Sequence, residues 1–160
     1  MEKPDLYHLM QLALEEAEKG FLEGEVPVGA IIASLEGDRV IARAHNRPLA
    51  LNDPTAHAEI LAMREAGLFC ENYRLINTLL VVTVEPCLMC MGAAINARIS
   101  RLVFGAKDPK AGAAISLFNL AAENRLNHKI AVEHGIMAEE CQGLIRSFFS
   151  ARRGSKLSEG

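Results

Sequence analysis

Two short segments of this 160-residue chain carry residue types that chemistry needs: His57-Ala58-Glu59 and Pro86-Cys87-Leu88-Met89-Cys90. One histidine and two cysteines supply three soft or borderline ligands, a set that suits zinc. Three protein ligands leave the fourth tetrahedral position open for water, as in catalytic zinc sites; structural sites are closed by four. Cys87 and Cys90, at i and i+3 in the first turn of an expected helix, share one face. There the unsatisfied N–H groups and the helix dipole favour thiolates. Glu59, two residues past His57, can reach such a water without ligating the metal, and so can carry protons. Taken alone, the Cys-x-x-Cys pair also fits a redox dithiol or half of a zinc knuckle. The companion His-x-Glu ahead of a helix and the proline before Cys87 favour zinc, because redox chemistry needs neither. Cys70 and Cys141 lack such neighbours and read as small buried or half-buried thiols.

These segments need elements to position them. Leu6, Leu9, Met10, Ala13, Leu14 and Ala17 recur at helical spacing, with Gly20 as a stop signal. Val26–Ser34 and Val40–His45 read as a hairpin around Glu36-Gly37-Asp38. Asp53-Pro54-Thr55 reads as a helix entry, with a helix through about Glu65. Leu79–Val84 is the clearest strand, Pro86 opens a helix through about Asn96, and Leu102–Gly105 and Ile130–Glu133 are short strands. Ala138 to about Arg152 is a closing helix. This order predicts an α/β chain, a three-layer α/β/α sandwich around a mixed sheet of about five strands. Residues 1–153 form one expected domain, and 154–160 a loose tail.

Composition bounds the partners. Half the residues are hydrophobic and 23% charged, the balance of a globular chain and not of a disordered one. No stretch approaches the roughly 18 apolar residues of a membrane span. The start, Met-Glu-Lys-Pro-Asp, has no secretory pattern, so the expected compartment is the cytoplasm. The formal charge of -3 argues against nucleic acid as a partner, since a binder must neutralise phosphates. That total hides an asymmetry. Residues 1–80 carry 7 basic and 13 acidic side chains, whereas residues 81–160 carry 10 basic and 7 acidic.

Beyond the zinc motif, a set of segments is more discriminating. They are Glu25 through Ala30, Asn46-Arg47-Pro48, Asp53 through Glu59, Asn72-Tyr73-Arg74-Leu75, Glu85 through Cys90, Phe104-Gly105-Ala106, Asn127-His128 and Phe148-Phe149. Together they resemble the bacterial tRNA-specific adenosine deaminases of the cytidine/deoxycytidylate deaminase superfamily, over nearly the whole chain from the first helix to Arg153. His45 departs from the pattern, which has a bulky aromatic before Asn-Arg-Pro.

The resemblance implies a cytidine-deaminase-like fold and a Zn2+ ion in each subunit, held by His57, Cys87 and Cys90. It implies hydrolytic attack at C6 of adenine in the wobble position of a tRNA anticodon, with Glu59 moving the protons and inosine as product. Asn46 would hydrogen-bond the purine edge and Val28 pack against the base. Asp108 would meet the ribose, and Asn127 and His128 would lie near the target nucleotide. Phe148 and Phe149 would flank unstacked loop bases, with Arg146, Arg152 and Arg153 on phosphates. The implied partners are a tRNA anticodon stem-loop and a second copy of the chain, in a homodimer whose active sites are completed across the interface.

Several of these residues also have plain structural readings. Asn46 fits a turn at a strand end, one of the two phenylalanines fits core packing, and Lys107, Lys110, Arg125 and Lys129 fit a solvated face. Two other functions compete: a free-base or nucleoside deaminase acting on guanine or cytosine, and a non-catalytic zinc subunit that binds RNA. Degenerate subunits of the latter kind usually lack the glutamate, and Glu59 is present.

Overall fold

The computed structural model describes residues 4–159. Its elements run α1 (Leu6–Leu22), β1 (Gly29–Ser34), β2 (Val40–His45), α2 (Pro48–Leu51), α3 (Ala58–Cys70), β3 (Thr78–Val84), α4 (Leu88–Asn96), β4 (Arg101–Ala106), a short 3-10 turn (Leu120–Ala122), β5 (Ala131–His134) and α5 (Ala138–Glu159). The five strands form one sheet in the order β2-β1-β3-β4-β5. β1 is antiparallel to both β2 and β3, while β3, β4 and β5 are parallel. The sheet is therefore mixed and five-stranded, as expected.

Neighbouring residues along the central strands point to opposite faces, and helices cover both. Ile32, Leu80, Val82, Leu102 and Phe104 pack with α3 and α4, through Met63, Ala66, Met91 and Ala94 among others. Ile31, Leu79, Val81 and Val103 pack with Leu9, Met10 and Ala13 of α1 and Cys141 of α5. Burial on both faces is why β3 reads as an unbroken apolar run and not as an alternating one. The three-layer α/β/α arrangement follows directly.

Tertiary packing moves several boundaries. Gly20 does not stop α1: it lies on the buried face beside the ring of His45, and the helix continues to Leu22. β1 begins at Gly29 and not at Val26, because Pro27 has no N–H and that of Val28 donates to the Val26 carbonyl at 2.9 Å. Asp53-Pro54-Thr55 is a turn, not a helix entry. The Asp53 carboxylate accepts the N–H and hydroxyl of Thr55 at 2.8 and 2.7 Å, and α3 starts three residues later, running on to Cys70. α5 runs through 154–159, the stretch expected to be loose, since each residue added to a packed helix orders only its own backbone. Gly160 lies outside the described residues.

One close approach fixes α1 against the sheet. A Cβ at Gly29 would lie 1.8 Å from the Ala13 carbonyl oxygen, so only glycine lets the start of β1 pass under the helix.

Candidate active site

The sheet register places the chemistry at one edge. Gly29 pairs with His45, Ala30 with Val82, and Val84 with Ala106. Val28, Asn46, the Glu85–Cys90 segment and Asp108 thus all leave the same end of the central strands. Loops beyond strand ends are where α/β folds build their sites.

His57 and Cys87 are both N-cap residues with extended backbone, ahead of α3 and α4 respectively. Each helix start therefore aims a ligand into the gap between the two elements. Nδ1 of His57 lies 3.5 Å from Sγ of Cys87 and 3.5 Å from Sγ of Cys90. All three ligand atoms lie within 4.8 Å of one another. With Zn–N about 2.0 Å and Zn–S about 2.3 Å, a tetrahedral angle puts N and S about 3.5 Å apart. The residues present fit zinc without rearrangement.

Their electrostatics match. The Cys90 thiol donates to Cys87 and, with His57, holds the Cys87 thiol down to about 4 against the opposing effect of burial. Cys90 is pushed up by the thiolate it donates to, by burial and by the Glu59 charge. His57 is raised by its hydrogen bond to Cys87, against burial. Both cysteines bind a divalent cation as thiolates, so binding releases protons. Glu59 is buried, 4% exposed, in the first turn of α3. Burial raises its carboxyl above the usual range, partly opposed by its own N–H and by His57. A carboxyl shifted toward neutrality beside an open metal position suits proton transfer.

Asn46 helps to hold the site together. Its Oδ1 accepts the Ala58 N–H at 2.8 Å, capping the start of α3, and leaves the amide NH2 as a free donor. The Arg47 N–H donates to the Ala56 carbonyl at 3.0 Å, closing the loop that delivers His57. His45 ties the end of β2 to α1, its ring nitrogens 3.1 Å from the Glu16 carboxylate and 3.0 Å from that of Glu23. Two carboxylates explain how a polar ring is accommodated there. Val28 is half-buried against the core beside them.

The expected RNA-facing residues divide. Asp108 is half-buried, and its carboxylate accepts the N–H groups of Lys110 and Ala111 at 3.1 and 3.2 Å, shaping its own loop. Phe149 is exposed and joins Lys110, Ile145, Arg146, Arg152 and Arg153 around a cavity of about 520 Å³. Phe148 is the one that packs inward: 4% exposed, edge-on to Phe21 of α1, with the Arg152 guanidinium over its ring. It cannot flank a loop base from there. His128 donates from Nε2 to the Ile99 carbonyl at 2.6 Å, and Asn127 is exposed next to it. Both lie ahead of β5, at the end of the parallel strands opposite the zinc ligands. The structure does not bring them to the metal.

Two acids without an assigned role prove structural. Glu25 is buried and accepts the N–H groups of Leu49 and Ala50 at 3.1 and 2.9 Å, capping α2. Glu85 is also buried. Burial pushes its carboxyl up, but hydrogen bonds from Ile115, Ser116 and Asp108 outweigh this and hold it below the usual range. Both glutamates sit in motif segments, yet nothing local in sequence names their distant donors.

Cys141 is buried, as expected, and burial pushes its thiol up to about 12. Cys70 is not buried: as the last residue of α3 it projects past the core into solvent. In the zinc-loaded protein, Cys70 should therefore react rapidly with a thiol reagent. A chelator should expose Cys87 and Cys90, and Cys141 should react only on unfolding. Rapid labelling of Cys141 in the folded protein, mapped by peptide mass spectrometry, would contradict its placement.

Comparison with known proteins places this geometry. Residues 4–106 match the cytidine and deoxycytidylate deaminase zinc-binding region. A tRNA-specific adenosine deaminase of Haemophilus influenzae is 44% identical over 94% of this chain and 87% of its own length. That of Bacillus subtilis is 42% identical over 98% of this chain and 94% of its own. A solved structure from studies of A-to-I editing by tRNA:A34 deaminases at the wobble position superposes with a TM-score of 0.82. It is 43% identical and covers 86% of this chain and 98% of the other. With a zinc-competent His-Cys-Cys triangle, a buried glutamate beside it and this degree of identity along the chain, the protein belongs to the tRNA-specific adenosine deaminases of the cytidine and deoxycytidylate deaminase family.

Proposed function

We propose that this chain hydrolyses adenosine to inosine at the wobble position of a tRNA anticodon. The observation that carries this reading is the His57–Cys87–Cys90 triangle with Glu59 buried beside it, in a chain so similar to tRNA-specific adenosine deaminases. Bound zinc supplies the Lewis acidity that brings the pKa of a water toward about 7. Glu59 takes a proton from the attacking water and gives one to ring N1 as C6 becomes tetrahedral. It then takes the proton of the new C6 hydroxyl and passes it to the departing amine, so water and adenine become hypoxanthine and ammonia. Asn46, its Oδ1 already engaged, presents NH2 to an acceptor on the purine edge, and Val28 packs on the base.

An anticodon-loop base is already outside a duplex, so drawing it into the site is comparatively cheap. Asp108 meets the ribose from the loop after β4. Phe149 stacks an unpaired loop base, with Arg146, Arg152 and Arg153 on phosphates around it. All of these come from the basic second half of the chain. This substrate places the protein in the cytoplasm.

The working form is a homodimer. An apolar groove of about 1060 Å³ runs over α3 and α4, lined by Ile60, Met63, Leu68, Tyr73 and Leu75 among others. Leu68 and Tyr73 there are 82% and 72% exposed. Leu88, between the two cysteine ligands, is exposed as well. A second copy seated on the groove covers these apolar side chains.

Phe149 supplies a test. Phe149→Ala should raise KM for an anticodon hairpin about tenfold, by loss of one stacking contact, with kcat little changed. Steady-state kinetics on the hairpin measure it. An unchanged KM would remove Phe149 from the RNA surface.

A further inference from the structure

The Glu85 side chain, two residues before Cys87, is buried, 4% exposed, and takes part in none of the ion pairs among the described residues. Four donors from one loop converge on it. The Asp108 N–H donates to Oε1 at 3.1 Å, and the N–H groups of Ile115 and Ser116 donate to Oε2 at 2.9 and 3.0 Å. The Ser116 hydroxyl completes the set on Oε1. The Ala113 N–H adds a bond to the Pro86 carbonyl at 2.8 Å. The loop wraps this carboxylate so tightly that a Cβ at Gly112 would fall 2.3 Å from its carboxyl carbon.

Residues 107–119 contain no helix or strand; besides the bonds to Glu85, the Asp108 carboxylate and turn hydrogen bonds shape the loop, and Ala113 and Ala114 pack into the core. Glu85 itself is held on the sheet, its N–H donating to the Ala106 carbonyl at 2.8 Å. One side chain therefore joins the segment that carries Cys87 and Cys90 to the loop that carries Asp108.

We propose that Glu85 is a positioning residue for substrate, setting the 108–116 loop against the metal-bearing helix so that Asp108 is held in place to meet the ribose. The inference rests on the tRNA deaminase reading above. Glu85 touches no reacting atom. Its carboxylate is needed because only an acceptor at both oxygens can satisfy four donors, whereas glutamine turns an NH2 toward some of them.

The test is Glu85→Gln in the zinc-loaded protein, with Ser116→Ala beside it. Glu85→Gln should keep its zinc, raise KM for a wobble-adenosine hairpin about tenfold or more, and leave kcat within about threefold. Ser116→Ala, which removes one neutral donor and buries no charge, should raise KM about threefold with kcat unchanged. Hydrogen exchange gives a readout independent of catalysis. The amides of Asp108, Ile115 and Ser116 should exchange faster in Glu85→Gln, and that of Met91 in α4 at the wild-type rate. An unchanged KM in both variants, or a kcat loss as large as the KM rise, would overturn the proposal. Should Glu85→Gln fail to fold, the KM of Ser116→Ala decides. A wild-type protein inactive on the hairpin would sink the function reading instead, and amide exchange would still show whether Glu85 orders the loop.

Discussion

Glu59→Ala should yield a folded protein with a full complement of zinc and deamination slowed about 10²- to 10⁴-fold, the range that a positioned acid–base group contributes. The carboxyl is buried in the first turn of α3 and enters none of the ion pairs among the described residues, so its removal breaks no charge pair. It is also outside the triangle of ligand atoms. Burial raises its pKa above the usual carboxylate range, which makes it a poor stabilising charge. Two measurements decide the matter: zinc stoichiometry by elemental analysis and single-turnover inosine formation. Zinc lost together with activity would make Glu59 a ligand. A normal rate would leave the proton transfers to some other group.

Cys87→Ala has the opposite signature, losing metal first and activity as a consequence. Changing a residue that merely supports a metal ligand weakens metal binding about 10- to 100-fold, and losing a ligand itself exceeds that. Stability follows. At free zinc about 1,000 times its dissociation constant, a bound ion adds about 4 kcal/mol to the folded state. A chelator should therefore lower the Tm of the wild type substantially and leave that of Cys87→Ala unchanged. Full zinc retention by the variant would remove Cys87 from the ligand set.

The His57–Cys87–Cys90 cluster was legible because its chemistry depends on short-range order. Cys87 and Cys90 are brought together by one helical turn, and Glu59 follows His57 at the start of another. What escaped was decided by partners distant in sequence. Gly20 reads as a helix stop until His45 is seen to pack beside it. Phe148 and Phe149 are adjacent and chemically identical, and only the position of Phe21 decides which turns inward. Cys70 reads as buried until the end of α3 is seen to pass the core. Glu85 looks like part of the cysteine motif, yet its four donors lie 23 to 31 residues away. His128 matches a motif position, but its bond to Ile99 holds it at the far end of the strands.

Charge shows the same division between total and place. The net of -3 describes neither half of the chain. The cavity beside Phe149 draws Lys110, Arg146, Arg152 and Arg153 from the basic half onto one surface.

The most direct test is to incubate the zinc-loaded protein with an anticodon hairpin carrying adenosine at the wobble position and, separately, with free adenosine, guanine and cytosine. Products are then read by mass spectrometry. Inosine is expected at the wobble position of the hairpin, with the three small molecules left essentially unconverted. Deamination of a free base or nucleoside with the hairpin untouched would contradict it.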